Sequence, residues 1–176
     1  LDLTQNTLLQ HLHLSSTSNI TNLDISQNVN LTYLNCDALG IEEIDISQNL
    51  QLTYLRLQST NISNLDISQH IDLEYLNTES TNITTLDISQ NISLEYLWAG
   101  NNTGLSCIQV WDLTYASQMQ IIGYWGADNN VDWSLDCAAG CTNPDASNYD
   151  PIATEDDGSC LVSGCMNESA CNYDSN

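Results

Sequence analysis

The side chains that could do chemistry in this sequence are few, and they fall in columns rather than clusters. Three histidines, His11, His13 and His70, and a single basic residue, Arg56, stand against 23 carboxylates. His11 and His13 alternate along one stretch and could share a metal, but two imidazoles make an incomplete site. Glu74 and Glu95 hold equivalent places in adjacent copies of a repeat. Carboxylates ~5 Å apart are what retaining glycosidases use, yet those enzymes also need a cleft. There is no Lys, no nucleophile motif and no phosphate-binding glycine loop. The chain is therefore expected to make contacts and not to be an enzyme.

Tyr33, Tyr54, Tyr75 and Tyr96 recur every 21 residues, with His11 at the equivalent place in an earlier copy. Beside them run His13, Asn35, Arg56, Asn77 and Trp98. Aromatic rings on a rigid surface offer large contact area at low entropy cost, and they stack on sugars or pack on proteins. His11, Tyr33, Tyr54, Arg56, Tyr75, Tyr96 and Trp98 are thus the candidate partner-binding residues, for a glycan or a surface protein. The alternative is that the rings serve one another, as cross-strand pairs worth roughly 0.2–1 kcal/mol each.

Near the end of the chain, Asp145, Asn148, Asp150, Asp156 and Asp157 supply hard oxygens beside a glycine turn. That is the donor set of a Ca²⁺ loop, although the spacing fits no EF-hand; plain acidic turns are the alternative. Asn19, Asn30, Asn61, Asn82, Asn91, Asn101 and Asn167 each open an N-x-S/T sequon, an acceptor for glycosylation.

What positions these columns is the repeat. LDIS at 23–26 returns as IDIS at 44–47 and as LDIS at 65–68 and 86–89, within copies that start at Leu9, Leu31, Leu52, Leu73 and Leu94. The apolar spacing over the whole unit fits neither a helix nor a simple strand, but a chain that winds once per repeat. So short a block cannot bury its apolar side alone, so successive blocks must stack into a solenoid. Asp2, Asp24, Asp45, Asp66 and Asp87 then form a column of like charge, and each is expected to accept backbone N–H groups in an Asx turn.

The L-x-x-L-x-L-x-x-N-x-L pattern resembles the leucine-rich repeat family over residues 1 to about 106. Thr17, Thr60 and Thr81 stand where Asn is commonest, with Leu39 and Asn102 there in the second and fifth copies. The resemblance implies a parallel β-sheet on the concave face, short turns on the convex face, and a C-terminal cap. Leu34 and Cys36, Leu55 and Leu57, Leu76 and Thr78, and Leu97 and Ala99 would then point inward, and the tyrosines outward. Cys36 reads as a buried free thiol.

After Leu105 the repeat breaks. A solenoid end exposes core and needs an atypical lid, for which Ile108, Val110, Leu113, Ile121, Ile122, Trp125, Trp133 and Leu135 have the composition. A Cys107–Cys137 disulfide would close it. This block resembles the C-IQV-D ending of secreted leucine-rich-repeat proteins of marine Bacteroidetes. From Cys141 a 24-residue unit begins, and it starts again at Cys165. It resembles the tandem Cys- and Asp-rich units (NYDP, DDGSC) of large secreted bacterial proteins. That resemblance implies a Cys141–Cys160 bridge and, more weakly, Cys165–Cys171. The expected organisation is repeats over 1–106, a cap over 107–137, and Cys/Asp-rich units over 138–164 and 165–176, the last incomplete.

A formal charge of −22 would repel nucleic acid and anionic lipid. Without a run of about 18 apolar residues, nothing is expected to insert in a membrane. Clustered cysteines point to a secreted, cell-surface protein. The chain begins and ends inside repeats and reads as an excerpt of a longer precursor. The leading expectation is a non-catalytic recognition or adhesion module. Its rival is a structural subunit whose terminal layers stack head-to-tail into a homo-oligomeric fibre.

Overall fold

A computed structural model describes residues 1–15, 19–149, 153, 155–156 and 158–161. The chain divides into two compact units, Leu1–Leu135 and Asp136–Asn176.

The first unit is a leucine-rich-repeat solenoid. Six short parallel strands line its concave face: β1 (His11–His13), β2 (Tyr33–Asn35), β3 (Tyr54–Arg56), β4 (Tyr75–Asn77), then, beyond β5 (Thr85–Asp87), β6 (Tyr96–Ala99), and, past β7 (Cys107–Gln109) and α1 (Leu113–Ile121), β8 (Trp125–Ala127). The register is strict, with Tyr33 opposite Tyr54, Leu34 opposite Leu55 and Asn35 opposite Arg56. It holds because a slip of one residue would turn every leucine outward. Leu34, Leu55, Leu76 and Leu97 are fully buried, and Trp125 takes the same place in β8. Cys36, Leu57, Thr78 and Ala99 are buried as expected. Along the back, Ile25, Ile46, Ile67 and Ile88 stack as a second buried column.

The LDIS segments are extended without pairing until the last copy. There Leu86 meets Ile108 of β7, and β7 in turn pairs with β9 (Asp132–Ser134), giving a three-stranded parallel sheet. Each aspartate of the turn column bonds forward as expected. Oδ1 of Asp24, Asp45, Asp66 and Asp87 accepts the N–H of Ser26, Ser47, Ser68 and Ser89 at 2.8–3.0 Å. Hydrogen bonds from these serines hold Asp24, Asp45 and Asp66 below the usual carboxylate range.

An asparagine ladder, unread in the sequence, ties the layers together. Asn49 Nδ2 donates to the carbonyls of Ile25 and Asn28 in the preceding turn, at 3.1 and 2.8 Å. Asn91 does the same to Ile67 and His70, and Asn28 to Leu3 and Asn6. His70 stands in this column, buried, with Nε2 3.2 Å from the Ile46 carbonyl.

The cap differs from expectation. Ile108, Val110 and Trp125 are buried and Trp133 partly so, but Leu113, Ile121, Ile122 and Leu135 are exposed. For Ile121 the reason is α1, a helix that the sequence reading did not predict. Its period puts Ala116 and Met119 on the core side and Ile121 on the opposite one. Asp112 caps it, accepting from the N–H groups of Thr114 and Tyr115. Trp111 and Tyr115 complete the lid by packing edge-on against Trp125. Both Cys107 and Cys137 are disulfide-bonded, and Cys36 is a buried free thiol.

In the second unit a Cys141–Cys160 disulfide closes a loop, and β10 (Ala139–Gly140) pairs in parallel with β11 (Glu155–Asp156). Cys165, Cys171 and the incomplete second Cys/Asp-rich unit lie outside the described residues. Among the described residues no helix is long and apolar enough to cross a membrane.

Candidate functional site

Because the strands lie in register, every outward tyrosine lands on the one in the next turn. His11 stacks on Tyr33 at 5.9 Å between ring centroids, Tyr33 on Tyr54 at 4.4 Å, and Tyr54 on Tyr75 at 4.2 Å with the planes 11° apart. Tyr75 and Tyr96 follow at 6.1 Å, tilted. The result is a continuous aromatic strip across the concave sheet. Burial pushes the Tyr54 hydroxyl above its ordinary value, offset in part by the Arg56 guanidinium beside it.

One more ring belongs to the strip and was missed. Tyr124 lies 4.9 Å from Tyr96. It is delivered by the end of α1, where Gly123 has a positive φ of 78°. There Gly123 N–H bonds to Gln120 O and Tyr124 N–H to Met119 O, a Schellman closure. The signal was present as Tyr124-Trp125, the counterpart of the four Tyr-Leu pairs, but 28 residues after Tyr96 instead of 21.

The neighbouring column is less available than its spacing suggested. Asn35 and Asn77 are buried, and their Oδ1 atoms accept the N–H of Asp37 and Glu79. They shape the turn that leaves the sheet, where Ala38, Ser59, Ser80 and Asn101 take positive φ of 56–59°. Arg56 is no free cation for a ligand: its guanidinium sits 2.8 Å from Asp37 Oδ2 and donates to Gln58 Oε1 at 2.7 Å. Trp98 is half-buried and lies over Gly126, where an added Cβ would come within 3.3 Å of the indole. His11 and His13 are exposed, with His13 Nε2 3.2 Å from Ser15 Oγ. Glu74 and Glu95 are exposed beside the tyrosines.

The other assigned residues divide as follows. Asn91 is corrected: its carboxamide is fully buried and spent on two carbonyls, so the folded chain cannot carry a glycan there. Asn19, Asn61, Asn82 and Asn101 are exposed, and Asn30 is half-buried with Nδ2 on the Thr7 carbonyl. Asn167 lies outside the described residues, as do Asp150 and Asp157 of the expected calcium set. Asn148 bonds Ser159 O and Leu161 N–H, bracing the disulfide loop, and Asp156 Oδ1 accepts from Gly158. Among the described residues, no three His, Cys, Asp or Glu side chains converge on a metal position.

These features define a non-globular class, a leucine-rich-repeat solenoid with an aromatic strip on its concave sheet. No family model matches the chain. The functional domain of InlJ from Listeria monocytogenes, which includes a cysteine ladder, is similar with a TM-score of 0.55 and 33% identity, covering 61% of this chain and 26% of that one. An internalin, inlF, of the same species gives a TM-score of 0.51 at 19% identity, covering 77% and 45%. A chloroplastic ribulose bisphosphate carboxylase/oxygenase activase of Spinacia oleracea is 67% identical over 30 residues, 17% of this chain and 6% of its own length. The chain thus spans less than half the length of each of these proteins.

Proposed function

We propose that this chain is an extracellular, non-catalytic recognition module that binds a protein partner through its concave aromatic strip. The observation that carries the reading is the ladder itself, running from His11 through Tyr33, Tyr54, Tyr75 and Tyr96 to Tyr124. Half-buried rings backed by a rigid sheet lose little freedom when a partner packs on them, which is how interface anchors gain their energy. Likeness to the two internalin solenoids supports an extracellular, protein-binding setting. The disulfides support an oxidising compartment.

The test is a screen of the whole chain against a panel of purified extracellular protein domains and a glycan array, run beside a Tyr54→Ala/Tyr75→Ala variant. Protein ligands that the variant loses would support the reading. Ligands bound equally by both would overturn it, and binding to the glycan array alone would replace protein by sugar as the target.

A further inference from the structure

One apolar column remains outside the core. Val29, Leu50, Ile71 and Ile92 recur every 21 residues, each immediately after a layer-tying asparagine or His70, and they are 45, 50, 57 and 66 % exposed. A scattered surface leucine needs no explanation, but four branched aliphatic residues in one line do. With one residue per turn the line runs ~14 Å along the stack at the spacing of sheet strands. Between it and the aromatic strip lie two rows, Asn30, Gln51, Asp72 and Ser93 and then Thr32, Thr53, Glu74 and Glu95, exposed or half-buried throughout. The border therefore changes along the line. It is uncharged beside Val29 and Leu50 and acidic beside Ile71 and Ile92, where Asp72 is also exposed.

We propose that Val29, Leu50, Ile71 and Ile92 form a second contact row that takes an amphipathic, cationic segment of a protein partner. Its apolar side chains lie on the aliphatic line, and its basic side chains meet Asp72, Glu74 and Glu95. The inference rests on the protein-binding reading of the aromatic strip and names the chemistry of the partner. Charge argues against the other occupants. The chain carries −22 overall and its one arginine is paired with Asp37, so a second copy would meet like charge across the row. An anionic lipid surface would be repelled in the same way.

The experiment uses the full chain with methyl-labelled Leu, Ile and Val, titrated with an 18-residue Leu/Lys amphipathic peptide and, separately, with its Leu/Glu counterpart. The expected result is perturbation of the Leu50, Ile71 and Ile92 methyls by the Lys peptide alone. Affinity should fall about 10-fold, about 1.4 kcal/mol, in Ile71→Asn/Ile92→Asn, and in Glu74→Gln/Glu95→Gln. All four substituted positions are exposed, so these variants should melt like the parent, which a denaturation curve checks. Absence of binding, unmoved methyls, or unchanged affinity in both variants overturns the proposal. If Tyr54→Ala/Tyr75→Ala abolishes binding while Ile71→Asn/Ile92→Asn does not, the aromatic strip stands and the second row falls. Movement of the same methyls with protein concentration alone, or on adding zwitterionic vesicles, overturns it in favour of self-association or of lipid.

Discussion

Tyr54 and Tyr75 are in the closest ring contact of the ladder, 4.2 Å between centroids and 11° from parallel, although 21 residues separate them in the chain. The pair is set by two strands whose inward leucines fix the register, so the outward rings have no choice of partner. Their stacking should be measurable as a coupling. Tyr54→Ala and Tyr75→Ala, singly and together, are expected to give a double-mutant coupling of about 0.5–1.5 kcal/mol in chemical denaturation. Strict additivity of the two losses would show that the rings do not support each other.

The asparagine ladder should be costly to interrupt. Replacing Asn49 by Ala removes the side-chain donor from the carbonyls of Ile25 and Asn28, leaving each one backbone N–H, and the expected loss is about 1–3 kcal/mol. A surface asparagine such as Asn61 should change stability by less than about 0.5 kcal/mol when replaced in the same way. Similar losses at both positions would deny the ladder its role.

His70 makes the same ladder sensitive to acid. Burial pushes its imidazole pKa down, against the opposing hydrogen bond to the Ile46 carbonyl and the charge of Asp66. Protons therefore bind the unfolded chain first, and stability should fall as pH drops through the ordinary histidine range near 6.5, levelling off below the depressed folded value. His70→Asn restores the residue of the other turns and should flatten this step in a series of melting curves. The lowered carboxyls of Asp24, Asp45 and Asp66 act at more acid pH, where their protonation removes stability present above about pH 4. That lower step should survive in the His70 variant.

Gly123 is the residue on which the last ring depends. Its φ of 78° lies where a Cβ crowds the backbone, so Gly123→Ala is expected to cost about 1–2 kcal/mol. Gly123→Asn should cost less, because asparagine tolerates that conformation. Thermal melts of the two variants decide it, and equal costs would argue against backbone strain as the cause.

Cys36 should be chemically silent. Burial, with Asp37 nearby, pushes its thiol up to about 12, so almost no thiolate exists at neutral pH. A thiol reagent is expected to label it only after denaturation, a difference that mass spectrometry reads directly. Rapid labelling of the native chain would place Cys36 at the surface.

The amino-acid sequence by itself determined the solenoid, its parallel sheet and the sorting of Leu55 inward and Tyr54 outward. A period of 21 combined with the two-residue alternation of a strand leaves one arrangement that buries every leucine. It also determined the Asx turns, because Asp24 and Ser26 are local partners that need nothing beyond their own stretch of chain. Tertiary structure alone decided what those columns meet. Asn91 reads as a sequon until the carbonyls of Ile67 and His70, a turn away, are seen to occupy its amide. Arg56 reads as a binding cation until the preceding turn sets Asp37 beside it. Tyr124 reads as part of a lid until a helix end carries it back into register. Periodicity says which residues share a face, but burial and pairing across turns depend on atoms supplied by another layer.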